Sequence, residues 1–238
     1  MRFLQVLVVS LVLMSEVGAA KKSIVLTTHN LSPYGSFPNG VRPGLVADES
    51  FTGVAVDRVR CAARAIDYDL KVVVVPWKRA QANARAGSSD GFFAASQKNT
   101  RDEYAVLSEF IAEQKWQWYL LKDNKKNPND PEFKSEAMVA GFVGSNMLSW
   151  MEKNKYKVGP RPLDTRRLLN TLLAGRVDAI LANNLVMDVL IKKQQVEDKL
   201  KFYVAKDKPL GVYFTKLFLK KNAGFLDKFN KAVRKCKK

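Results

Sequence analysis

Two rhythms of apolar and polar positions alternate along most of this chain. Short apolar runs have the length and β-rich make-up of strands: Ser23 to Thr28, Leu70 to Val75, Gly91 to Ala95, Lys115 to Leu121, Val139 to Val143, Val177 to Ala182, Lys201 to Ala205 and Val212 to Leu219. The unbroken run at 70–75 is that of a strand covered on both faces. Between these runs apolar residues recur at helical spacing. Val56, Val59, Ala63 and Ile66 mark a helix over 53–66, and a second over 78–86 stops at Gly87. Gly144, Ser145 and Asn146 open another, and Asp164 caps one that runs to Ala174 and stops at Gly175. Further helices are predicted over 185–193 and over 224–235, the last with Phe225, Leu226, Phe229 and Val233 on one side. Residues 30–48 and 123–136 read as loops, and a polar turn begins at Ser96. The alternation predicts an α/β chain built on parallel sheets. Trp116 and Trp118 share a strand face and read as packing.

The first 20 residues follow another plan. Arg2 is followed by an apolar run from Phe3 to Met14, broken only by Gln5 and Ser10, and then by Val17, Gly18, Ala19 and Ala20. This is the three-part pattern of a cleaved secretory signal, with cleavage after Ala19 or Ala20. The run is too short for a bilayer span of about 20 apolar residues. About 218 residues remain, enough for one large domain or two small ones. In an exported chain, the only two cysteines, Cys61 and Cys236, are expected to form one disulfide. They are too few for a structural zinc site, and no metal or cofactor is expected. No cysteine directly follows the signal to carry a lipid, so a freely diffusing protein is expected.

Lysine and arginine outnumber acids 40 to 23, a net charge of +17. The basic residues are dispersed, with a modest tail cluster at Lys231, Arg234, Lys235, Lys237 and Lys238. No nucleic-acid fold signature accompanies them, which argues against nucleic acid as a partner and leaves a basic surface compatible with anionic solutes.

Several segments, in order, carry a resemblance. Ser32-Pro33-Tyr34 follows the first strand, and Phe51, Gly53, Val54, Ala55, Val56 and Asp57 open the first helix. Trp77, Arg79 and Ala80 precede Gly87, Asp90 and Gly91; then come Asn99, Arg101, Asp102 and Ser108, and later Gly175-Arg176-Val177-Asp178-Ala179. Over nearly the whole exported part the chain resembles the amino-acid-type solute-binding proteins of bacterial ABC importers, the extracellular solute-binding family 3. The resemblance implies the two-lobed periplasmic binding protein fold (type II), with two hinge strands and a ligand cleft between the lobes. Residues 1–20 would be the signal, 21–113 the first part of lobe one, 114–206 lobe two and 207–238 the return to lobe one, with crossings near Glu113 and Lys206. The first and last helices then share a lobe, which places Cys61 and Cys236 within reach of each other. A periplasmic monomer is implied, with a small-molecule solute and an inner-membrane ABC permease or a sensor receptor as partners.

Carried over residue by residue, the resemblance puts a ligand carboxylate on Arg101, whose guanidinium offers a bidentate fork. Ser96 matches a ligand-contacting hydroxyl, and Tyr34 and Trp77 are counted with the site, Trp77 as pocket wall or as core aromatic. Ser145 and Asn146 begin a lobe-two helix whose amides suit a carboxylate or phosphate, or are ordinary capping residues. Arg79 reads as a surface charge. Two departures stand out: Asn183 occupies the position where the family often has an acid for the ligand's ammonium, and Lys98 the position of a threonine. The expected ligand is a small carboxylate-bearing solute, an amino acid or related organic acid, with the departures favouring an anion. The alternatives are a prephenate-type dehydratase on the same fold, with Glu103, Asp90 and His29 as candidate acids or bases, and a sensory binder without a transporter. The Gly-x-Ser-x-Gly elbow of a hydrolase is absent from the sequence.

Overall fold

The computed structural model of the protein describes residues 22–38, 45–46 and 49–236. The signal segment 1–20 and Lys237 and Lys238 of the basic tail lie outside the described residues. In chain order the elements are β1 (Lys22–Thr28), β2 (Leu45–Val46), α1 (Val54–Ala65), β3 (Tyr68–Val74), α2 (Trp77–Arg85), β4 (Gly91–Ser96), α3 (Asn99–Asp102), β5 (Ala105–Leu107) and β6 (Lys115–Leu121). They continue with α4 (Phe133–Glu136), β7 (Val139–Ala140), α5 (Asn146–Lys153), α6 (Thr165–Leu173), β8 (Ala179–Asn183), α7 (Asn184–Gln194), β9 (Leu200–Asp207), β10 (Leu210–Thr215), α8 (Lys216–Lys221) and α9 (Phe225–Lys235).

The strands form two sheets, ordered β2-β3-β1-β4-β10-β5 and β7-β8-β6-β9. β1 runs parallel to both β3 and β4, but β10 runs antiparallel to β4 and β5. In the second sheet β6 is antiparallel to β8 and β9, and only β7 and β8 are parallel. The expectation of parallel sheets is corrected on this point: β6 and β10 enter their sheets from the other sheet, and each runs against its neighbours. The two connections lie side by side. Lys208 N–H donates to the Gln114 carbonyl at 2.8 Å, Leu210 N–H to the Ala112 carbonyl at 2.8 Å, and Gln114 Nε2 to the Lys208 carbonyl at 2.9 Å.

Two further corrections concern element type. The apolar run Val212 to Leu219 is a strand only as far as Thr215; the Thr215 hydroxyl then accepts from Phe218 N–H and starts α8. The turn expected at Ser96 holds instead the short helix α3 and the three-residue strand β5, and the two-residue strand β2 interrupts the loop expected over 30–48.

Packing follows the layering. β4 and β10 are buried along their whole length because helices cover both faces of the first sheet. On one face α1 and α9 pack Val56, Val59, Phe225, Phe229 and Val233 against Ile24, Leu26, Val72 and Phe214. Cys61 of α1 and Cys236, at the end of α9, form a disulfide with Cα atoms 6.1 Å apart. Gly53 caps α1 at φ +148, and a Cβ there would stand 2.6 Å from the Pro33 carbonyl oxygen, so only glycine fits. The second lobe packs Trp116, Trp118 and Leu120 on one face of its sheet and Tyr119, Leu168, Leu172 and Ile180 on the other.

Candidate functional site

Between the two lobes, a cavity of about 50 Å³ is lined by residues of both. The first lobe and the returning strand contribute His29, Leu31, Trp77, Ala94, Ser96, Arg101 and Leu210. The first connection contributes Gln114, and the second lobe Trp116, Phe142, Ser145, Asn146, Met147 and Asn183. His29, Leu31, Trp77 and Phe142 also line a wider channel of about 740 Å³. That channel is bordered by Lys78, Lys98 and Arg166, with Asp164 as its carboxylate. Asp164 is already engaged: it caps α6 by accepting from Arg167 N–H at 2.8 Å and pairs with the Arg167 guanidinium.

Arg101 dominates the cavity. It lies in α3 and is only 2 % exposed. Nη1–H donates to the Ser96 carbonyl at 2.6 Å, Nε–H to Gln81 Oε1 at 3.0 Å, and Nη2–H to Asn146 Oδ1 on the facing lobe at 3.4 Å. The guanidinium carbon lies 5.2 Å from the Trp77 ring centroid and 5.8 Å from that of Phe92. All three hydrogen-bond partners are neutral, and among the described residues no carboxylate forms a salt bridge with Arg101. The adjacent Asp102 is taken up elsewhere, accepting from Tyr213 O–H at 2.7 Å and from Gln97. Arg101 is therefore a buried residue and, among the described residues, is not paired with a neighbouring acid. A buried cation without a counter-ion is costly, and its environment lowers its pKa, chiefly through burial.

The backbone around Arg101 is shaped for the site. Ala95 pairs with Gly211 and Phe93 with Val212, so Ala94 is the extra residue of a β-bulge, and its φ of +60 lies in the left-handed region. Bulges of this kind re-aim side chains beside functional sites. On the other lobe Ser145 Oγ caps α5 by accepting from Leu148 N–H at 3.0 Å. Asn146 Nδ2 donates to Ser96 Oγ at 3.0 Å, a second hydrogen bond across the cleft. The first amides of α5 and α7 have no intrahelical acceptor, so both helices begin at the cavity with their positive ends.

Three buried side-chain polar atoms among the described residues have no hydrogen-bond partner: His29 Nδ1, Trp116 Nε1 and Asn183 Oδ1. All three residues line this cavity. His29 is pushed down to about 4, first by burial and then by Arg101, which keeps its imidazole neutral near pH 7. Lys98, at the channel, is also pushed down, by burial and then by Arg101. No group of three His, Cys, Asp or Glu side chains among the described residues is placed to hold a metal ion.

Six of the seven residues singled out from the sequence, Arg101, Ser96, Trp77, Ser145, Asn146 and Asn183, meet in this lining. Tyr34 does not: its ring sits in the first-lobe core and its hydroxyl donates to the Glu113 carbonyl at 3.3 Å, beside the first connection. His29, Gln114, Trp116, Phe142 and Met147 were not singled out as ligand contacts. His29 carried a usable signal, since it follows the C-terminal end of a strand, where open α/β sheets place their ligands. Trp116 packs in the core as read, yet its indole nitrogen is left without a partner. Of the acids and bases considered for an elimination, only His29 lines the cavity; Asp90 is held at the start of β4, accepting from Val25 N–H at 2.8 Å.

The architecture has solved counterparts. An arginine-bound ArgBP mutant from T. maritima superposes with a TM-score of 0.69 at 17 % identity, covering 90 % of this chain and 96 % of its own. The chain has the two-lobed binding-protein fold. The GluR0 ligand-binding core from Nostoc punctiforme in complex with L-glutamate gives 0.69 at 13 % identity, over 89 % of this chain and 92 % of that one. An ABC uptake transporter substrate binding protein from Streptococcus pneumoniae with bound histidine gives 0.71 at 14 %, over 90 % and 86 %. No protein-family model and no curated protein matches the sequence.

Proposed function

We propose that this protein is an exported solute-binding protein that closes its lobes around one small carboxylate-bearing solute and presents it to an ABC-type importer. Arg101 carries the reading. It is almost fully buried at the junction of the lobes, and among the described residues it is bonded only to neutral groups through three of its five N–H donors. A ligand carboxylate supplies the missing counter-charge through a charge-assisted fork. The two-lobed fold, shared with proteins that hold arginine, glutamate or histidine, supports a binding module rather than an enzyme. The signal pattern at residues 1–20 supports a periplasmic location, and the paired connections at 112–115 and 207–210 support hinge-type closure between lobe boundaries near Glu113 and Lys206. Native mass spectrometry of protein purified from its own envelope, without denaturation, tests the proposal. The expected result is one small organic acid per chain, released by unfolding. A neutral sugar or a cation in its place overturns the reading.

A further inference from the structure

The second lobe shows which polar group accompanies the ligand's carboxylate. Trp116 and Asn183 are directly opposed partners on the antiparallel strands β6 and β8. Each leaves one buried atom without a partner, the indole Nε1–H donor and the amide Oδ1 acceptor, and both residues line the cavity that holds Arg101. One ligand group that accepts from the indole and donates to the amide satisfies both. A hydroxyl does this, having one donor and two acceptor lone pairs; an ammonium has three donors and no acceptor. The ammonium is disfavoured a second time, because among the described residues no Asp or Glu lines the inner cavity while Arg101 does.

We propose, resting on the acid-binding reading above, that the solute is a hydroxy acid rather than an amino acid. Its carboxylate sits on Arg101, and its hydroxyl bridges Trp116 Nε1 and Asn183 Oδ1. The inner cavity of about 50 Å³ takes only this polar head, since whole small-molecule sites span several hundred Å³. The remainder of the ligand passes Trp77 and Phe142 into the wider channel.

The test is isothermal titration of the intact mature protein with matched pairs differing only at the α-substituent. The pairs are lactate and alanine, malate and aspartate, 2-hydroxyglutarate and glutamate, and phenyllactate and phenylalanine. At least one hydroxy acid is expected to bind about tenfold or more tightly than its amino twin, the scale of leaving one buried N–H unpaired. Trp116→Phe keeps the ring but removes the N–H, and is expected to erase the preference. Asn183→Asp, with folding checked by its melting temperature, is expected to shift it toward the amino acid. An amino acid that binds as tightly as its hydroxy twin, or tighter, overturns this inference and leaves the acid-binding reading standing. A preference that survives Trp116→Phe overturns the bridging geometry. No binding by any acid of either series overturns the inference together with the reading beneath it.

Discussion

The two lobes bring different things to the cleft. The first contributes the charge, Arg101 with the neutral base His29 beside it. The second contributes Trp116, Phe142, Ser145, Asn146, Met147 and Asn183 to the inner cavity, none of them ionisable at ordinary pH. The first is also the lobe closed by a disulfide, which spans 175 residues of sequence. Charge is thus held on the covalently pinned half and met by neutral dipoles on the other. Closure over an acid then buries one ion pair and a few neutral groups, and the facing lobe adds no second desolvated charge.

The contrast can be broken at several points. Replacing both Cys61 and Cys236 by alanine is expected to lower stability by about 2–5 kcal/mol, the range for removing a long-loop disulfide. Denaturant titration followed by circular dichroism reads this directly, and unchanged stability would remove covalent pinning from the contrast. Arg101→Ala is expected to weaken acid binding by about 2–5 kcal/mol, roughly thirtyfold to several-thousandfold, with Arg101→Lys recovering only part. Calorimetry measures the loss; a variant binding as tightly as the parent moves the charge of the site elsewhere.

His29 tests the same face through pH. Its folded pKa of about 4 lies below the ordinary 6.5, so the unfolded chain binds the proton first on acidification. Stability is therefore full above about pH 6.5 and falls as pH drops toward about 4, by up to about 3 kcal/mol from this residue. His29→Gln should flatten that part of the melting-temperature profile, and an unaltered slope assigns the acid sensitivity to other groups. The neutral face is tested by Asn146→Ala, which removes both hydrogen bonds across the cleft. The expected cost in acid affinity is about 1–2 kcal/mol, with a larger radius of gyration by X-ray scattering; neither change would mean that the neutral face does not hold the lobes together.

The sequence revealed the local features and hid those that depend on distant pairing. The helices capped by Asp164 and opened at Ser145 were readable because a cap and a periodic stripe are contained within about 10 residues. β2 and β5, with two and three residues, have too little pattern to show a period. α8 was read as strand because Val212 to Leu219 is largely apolar, although Thr215 carried a capping signal. Arg101 could be picked out by resemblance, but not its lack of a counter-ion. That depends on Asp102 turning to Tyr213, 111 residues away. The opposition of Trp116 and Asn183 is likewise a matter of register between strands far apart in sequence.

The position of β10 sets an order of assembly. It lies between β4 and β5, so the first sheet is incomplete until residues 210–215 are available. The second sheet draws only on strands between Lys115 and Asp207, one uninterrupted stretch. As the chain emerges from N- to C-terminus, the half begun first must therefore wait with an open edge while the half begun second closes. Cys61 likewise remains an unpaired thiol until Cys236 follows almost the entire chain. The first sheet thus closes through pairings of high sequence separation, the kind of contact that slows folding in general because loop-closure entropy is lost before the pairing is gained.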